Sequence, residues 1–129
     1  MEIALRAALL DWLRRDETLA ASLNAVTEEA PSRAALPWLA LTASASTEWG
    51  CKTMPGREVR VSFELHARAD APDALAALSS AIEMRVLALP RQQSGFRVVS
   101  ARFLRSRAEQ RSDNRRAVLG EYAFRLLAA

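Results

Sequence analysis

From Gly56 to Asp70 the chain alternates in character. Val59, Val61, Phe63, Leu65 and Ala67 fall on one side of an extended segment, and Glu58, Arg60, Ser62, Glu64, His66 and Arg68 fall on the other. A period of two with one apolar face predicts a strand that buries a single side. The same rule predicts strands in "WLALTASAS" (38–46), in "FRVVSARFLR" (96–105) with Val99, Ala101 and Phe103 on one face, and in "AVLGEYAFRLL" (117–127) with Val118, Tyr122, Phe124 and Leu126 on one face. Two segments follow the helical period instead. Residues 2–15 gather Leu5, Ala8, Leu9, Trp12 and Leu13 into one stripe, and a second stripe runs through Ala71, Leu75, Leu78, Ile82, Val86 and Leu89 until Pro90 stops it. Asp16 is the expected cap of a short turn carrying Leu19 and Leu23. Asp70 is the expected cap of the long helix, with Pro72 tolerated in its first turn.

The connections are polar or broken by proline. "NAVTEEAPSRAALP" has turn-forming residues with Pro31 and Pro37, and room for a short edge strand around Val26. Gly50, Pro55 and Gly56 mark 47–56 as a loop. "SRAEQRSDNRR" (106–116) contains no hydrophobic residue larger than Ala108, so it is expected to be a long solvated hairpin tip, mobile until a partner orders it. The order is therefore helix, strand, strand, helix, strand, strand. Striped helices and a sheet with one apolar face must cover each other. The expected fold is α+β: a single domain over 1–129, a two-layer sandwich whose mainly antiparallel or mixed sheet has about four to five strands, with two helices on one face.

Composition narrows the function. Half the residues are hydrophobic and 26% are charged, as in an ordinary globular chain. The N-terminal apolar stretch is interrupted by Glu2, Arg6 and Asp11, too short and too charged for a membrane span or a signal-peptide core, so folding in the cytoplasm is expected. Cys51, the single cysteine, excludes an intrachain disulfide, and with His66, the single histidine, it cannot complete a structural zinc site. His66 falls on the polar side of its strand, where a solvated or interface role is expected. The four glycines, at 50, 56, 95 and 120, match no phosphate-binding loop. No Ser–His–acid set can be assembled, and the paired carboxylates Asp16–Glu17 and Glu28–Glu29 sit in connections. Neither catalytic residues nor a cofactor is expected.

Charge is unevenly distributed. Residues 91–129 hold nine arginines against Glu109, Asp113 and Glu121, a net +6, whereas residues 1–90 carry a net −3. Arg102, Arg105, Arg107, Arg111, Arg115 and Arg116 lie on or near one hairpin, which fits either a nucleic-acid patch or a solvated hairpin whose charge prevents aggregation. No stacking aromatic is interleaved at the tip, which favours a solvated or protein-contacting role. Trp12 and Trp38 are assigned to the core. Trp49, in a Gly/Pro-rich loop, is a candidate interface anchor or a lid over the domain's own core.

Taken in order, "LRAALLDWLRRDETLAASL", "PWLAL", "GREVRVSFELHARAD" running into "APDALAALSSAIEMRVLAL", and the closing "VVSARFLR…EYAFRLLAA" resemble the small tail terminator, or tail completion, proteins of long-tailed phages and gene transfer agents. The resemblance spans nearly the whole chain and rests on the order and spacing of elements. It implies a structural, non-enzymatic virion protein without a cofactor. Such a protein assembles as a ring, usually of six copies, on the head-proximal end of the tail tube, stops tube growth and joins the head connector. The implied partners are further copies of itself, the major tail tube protein and the head–tail connector or stopper. DNA would pass through the lumen without specific binding, and no membrane is involved. On this reading the charged side of the central strand meets neighbouring subunits, and the candidate interface residues are Trp49, Arg57, Arg60, Glu64, Arg68, Arg107, Arg111, Arg115 and Arg116. A head-side stopper or adaptor ring, and a basic nucleic-acid-binding module, are the alternatives.

Overall fold

The computed structural model describes residues 1–129 as three helices and six strands: α1 (Glu2–Arg14), α2 (Glu17–Ser22), β1 (Ala25–Thr27), β2 (Trp38–Glu48), β3 (Gly56–Arg68), α3 (Pro72–Leu87), β4 (Gln92–Gln93), β5 (Phe96–Arg111) and β6 (Arg115–Ala128). The α+β class matches expectation, while the element count is higher. The additions are all short: the "ETLAAS" turn is a true helix, and β1 and β4 are edge strands of three and two residues. All strands join one sheet in the order β1-β2-β3-β6-β5-β4. β1 runs parallel to β2, and every other neighbouring pair is antiparallel.

Helices and sheet bury each other on one side. Leu39, Leu41, Val59, Val61, Phe63, Leu65, Phe96, Val98, Phe124 and Leu126 from the sheet meet Leu5, Leu9, Leu13, Leu19, Leu75, Ile82 and Val86 from the helices in one continuous core. Hydrophobic burial of this kind is the main stabilising contribution to a domain of this size. Asp16 caps α2, its Oδ1 accepting from the Leu19 amide at 3.0 Å. α3 departs from expectation. Pro72 sets its start, Ala71 occupies the N-cap position without a side-chain hydrogen bond, and Asp70 falls one residue too early. The Asp70 carboxylate turns instead toward Arg68, at 3.5 Å from its Nε.

One polar segment expected as a solvated hairpin tip is largely strand. β5 continues to Arg111 and β6 begins at Arg115, so residues 106–116 form a paired ribbon closed by a turn over 112–114. A backbone ladder supplies its own hydrogen bonds, so it can extend through residues that have nothing apolar to bury. At the turn Asp113 and Asn114 have φ of 60° and 53°, the left-handed region these two residue types tolerate best. The loop at 47–56 is also shorter than expected, because β2 reaches Glu48 and β3 starts at Gly56.

The strict alternation expected of β5 fails at Val99. The register shifts between Val98 and Ser100 and again between Phe103 and Arg105. Each bulge adds one residue and resets the parity. Phe96 and Val98 therefore share the core side with Ala101 and Phe103, while Val99 is left out of the pairing and is 38% exposed.

Candidate interaction surface

The helices occupy one face of the sheet. Register pairing places the residues of the opposite face in rungs across β2, β3, β6 and β5. One rung holds Thr47, Glu58, Arg125 and Ser100; another holds Ala45, Arg60, Ala123 and Arg102; a third holds Ala43, Ser62, Glu121 and Arg105. In two of these rungs a glutamate and an arginine stand directly opposite each other on neighbouring strands. Arg105 donates from Nε and Nη2 to the two carboxylate oxygens of Glu121, at 3.0 and 3.3 Å. That bidentate pair raises the Arg105 pKa through the hydrogen bond first and the Glu121 charge second. Arg125 Nε donates to Glu58 Oε1 at 3.1 Å, and Arg60 lies 3.9 Å from the same carboxylate. These pairs are exposed, so each contributes little to stability. Their effect is to fix the direction of the charged groups on the face.

His66 contradicts its expected solvation. It is on the outer face, as its parity requires, yet it is only 3% exposed. Its cross-strand partner in β2 is Trp38, and the rings stack with centroids 4.0 Å apart and planes 15° apart. His66 Nε2 donates to Glu64 Oε1 at 2.9 Å, while Nδ1 is buried without a partner. Parity assigns a side chain to a face but says nothing about a large neighbour lying over it. Trp38 is buried as expected, but against His66 and outside the main core cluster.

The expected interface residues divide into three groups. Arg60, Glu64, Arg68, Arg107, Arg111 and Arg115 share the outer face. Arg57 and Arg116 point to the other side, where Arg57 stands opposite Glu48 and Leu126, and Arg116 opposite Ala67 and Gln110. Trp49 follows the end of β2, half-buried, with the Arg125 guanidinium 5.4 Å from its ring centre, so it stands beside the outer face at the end away from the hairpin turn. Arg107 and Arg111 both approach Glu109, at 3.6 and 3.5 Å. Sequence reasoning missed Arg105, Glu121, Arg125 and Glu58 as ordered pairs. Counting antiparallel register from the turn at 112–114 pairs Arg105 with Glu121 before either β5 bulge is reached, whereas Glu58 meets Arg125 only once the β3–β6 register is known.

Cys51 is exposed, and its thiol is held below the ordinary range by the side-chain hydrogen bond with Thr53, then by backbone amide contacts. Beyond the paired sheet, two lengths of strand lack a neighbour. β1 covers only Trp38–Ala40 of β2, and β4 covers only Phe96 and Arg97 of β5. The remainder of each strand is a free edge capable of meeting another protein.

Two comparisons relate the whole chain to known proteins. The sequence matches the family described as "Tail completion protein gp17" over residues 7–125. Among solved structures, a chain of the "Virion of native gene transfer agent (GTA) particle" has the same fold, with a TM-score of 0.82 at 22% identity, over 98% of this chain and 96% of that one. No curated protein matches the sequence.

Proposed function

Since the chain belongs to the tail completion protein family, we propose that it closes the head-proximal end of a phage or gene-transfer-agent tail tube as a six-fold ring and joins the tube to the head connector. The observation that carries this reading is the family match across residues 7–125. The likeness to a gene transfer agent virion chain supports it, as do the two free strand edges at opposite ends of one sheet. A ring built from repeated head-to-tail contacts needs two different patches on each subunit, and two unlike edges supply them. The charged outer face fits contact with neighbouring subunits or rings, where complementary charge fixes orientation and rejects wrong partners.

The test is to produce particles without this protein and measure tail length and head attachment by negative-stain microscopy. Overlong or headless tails are expected, and normal capped tails would rule the reading out. Placement at the tail rather than the head side is checked separately by labelling the exposed Cys51 and looking for the label in purified tails and purified heads.

A further inference from the structure

Two buried side-chain polar atoms in the molecule have no partner, His66 Nδ1 and Arg115 Nε. They lie on the same face of the sheet in neighbouring rungs, because His66 pairs with Ala117 and Arg68 pairs with Arg115. The second rung continues into β5, where Arg115 pairs with Arg111. Three arginines of three adjacent strands therefore stand directly opposite one another. Side chains so placed have Cβ atoms about 5 Å apart, and like charges there repel.

Local acid does not resolve this. Asp70 approaches Arg68 at 3.5 Å. Glu109 approaches Arg111 at 3.5 Å but is shared with Arg107. Arg115, in the middle, makes no ion pair, and its Nε is cut off from solvent without an acceptor. A charge that is partly desolvated and flanked by like charges is costly to keep in the free molecule. An anion seated on the rung would offset the repulsion among the three guanidinium groups.

We propose that the Arg68–Arg115–Arg111 rung is a receptor for carboxylate side chains on an acidic segment of a partner protein. Guanidinium forks match carboxylates two bonds at a time. Strands spaced about 4.8 Å apart present those forks at intervals that successive acidic residues of an extended or helical segment can reach. A nucleic-acid backbone fits less well. No exposed aromatic ring stands beside it for a base to stack on, since Trp38 is buried against His66.

This inference deepens the reading of the chain as an assembling subunit by naming the chemistry of one docking point. It is tested without particles, so either can fail while the other stands. The probe is a fluorescent hexaglutamate peptide titrated with the full chain at physiological salt and followed by anisotropy, beside a duplex DNA oligonucleotide. Saturable peptide binding is expected, weakened about tenfold or more by Arg115→Gln and by Arg68→Gln. Arg33→Gln, remote on the sequence and exposed, should leave the affinity unchanged. The thermal midpoint of the rung variants should stay level or rise, because repulsion is relieved, whereas a merely structural arginine would lower it. If Arg115→Gln does not fold, Arg68→Gln, whose side chain is 65% exposed, carries the test. Absence of saturable binding, equal weakening by Arg33→Gln, a midpoint that falls with affinity, or tighter binding to the duplex would each overturn the proposal.

Discussion

At the scale of single residues, the contact that ties the two long helices together is a reciprocal clamp between Trp12 and Arg85. The indole Nε1 donates to the Arg85 carbonyl at 2.7 Å, and the guanidinium donates from Nε and Nη2 to the Trp12 carbonyl at 3.0 and 2.7 Å. The same guanidinium stacks 3.3 Å from the ring centre and lies 3.6 Å from Asp16, the cap of α2. A planar fork makes all of these contacts at once and an ammonium cannot. Arg85→Lys, which keeps the charge, should therefore lower stability by roughly 1–2 kcal/mol in urea unfolding. Tyr122, the only tyrosine, gives a second test. Burial between Phe63 and Phe103 raises its hydroxyl pKa well above the usual tyrosine value, with the Glu83 charge adding to the effect. The folded state thus favours the neutral phenol. Its contribution to stability is complete below the unfolded value of about 10 and is lost as pH rises above it. Native protein should show no phenolate absorbance at a pH where the denatured chain is already ionised, and Tyr122→Phe should flatten the alkaline decline of the melting temperature.

At the scale of elements, Gly56 controls how the central strand begins. A Cβ built there would meet the Trp49 carbonyl at 2.0 Å and the Leu126 carbonyl at 2.7 Å, both backbone atoms. Gly56 also accepts from the Trp49 amide at 3.1 Å, closing the loop between β2 and β3. Gly56→Ala should cost roughly 3 kcal/mol or more and displace Trp49, which a shift in tryptophan fluorescence would report beside the melting curve. What the sequence made legible at this scale was periodicity. The apolar side of β3 is buried at Val59, Val61, Phe63, Leu65 and Ala67, and the α3 stripe buries Leu75, Ile82 and Val86. The rest was hidden for physical reasons. Bulges are set by how a long strand twists against its neighbour, so Val99 gave no local sign of being out of phase. The shielding of His66 depends on Trp38, twenty-eight positions earlier, and on a register that no single segment encodes. The outer-face grouping of Arg60, Glu64 and Arg68 followed from parity alone. The joining of Arg68 to Arg111 and Arg115 required the order of three strands, and Arg116 faces away because it is one residue out of step.

At the scale of the molecule, the uneven charge of the sequence becomes a polarity of shape. Residues 91–129, net +6, make β4, β5 and β6, so positive charge gathers toward one edge of the sheet and the acidic excess lies with the remainder. Contacts between such edges are polar, salt-sensitive and individually weak. The isolated protein is expected to scatter light as a monomer or weak oligomer, with closed rings favoured once it is docked on a tube. A tight dimer persisting across dilution would contradict a ring of head-to-tail contacts. One further consequence comes from the position of β6 between β3 and β5. It is the last strand in chain order, yet it lies in the middle of the sheet and supplies Tyr122, Phe124 and Leu126 to the core. During synthesis the ribosome therefore releases β3 long before its inner neighbour exists. Chains interrupted before residue 115 must leave the β3 edge open and the hydrophobic interior unsealed, a state that invites proteolysis. The outer-face rungs that run from β3 through β6 to β5 exist only once residues 115–128 have been inserted between strands made earlier, so a chain cut before them should be digested faster than the full chain in limited proteolysis.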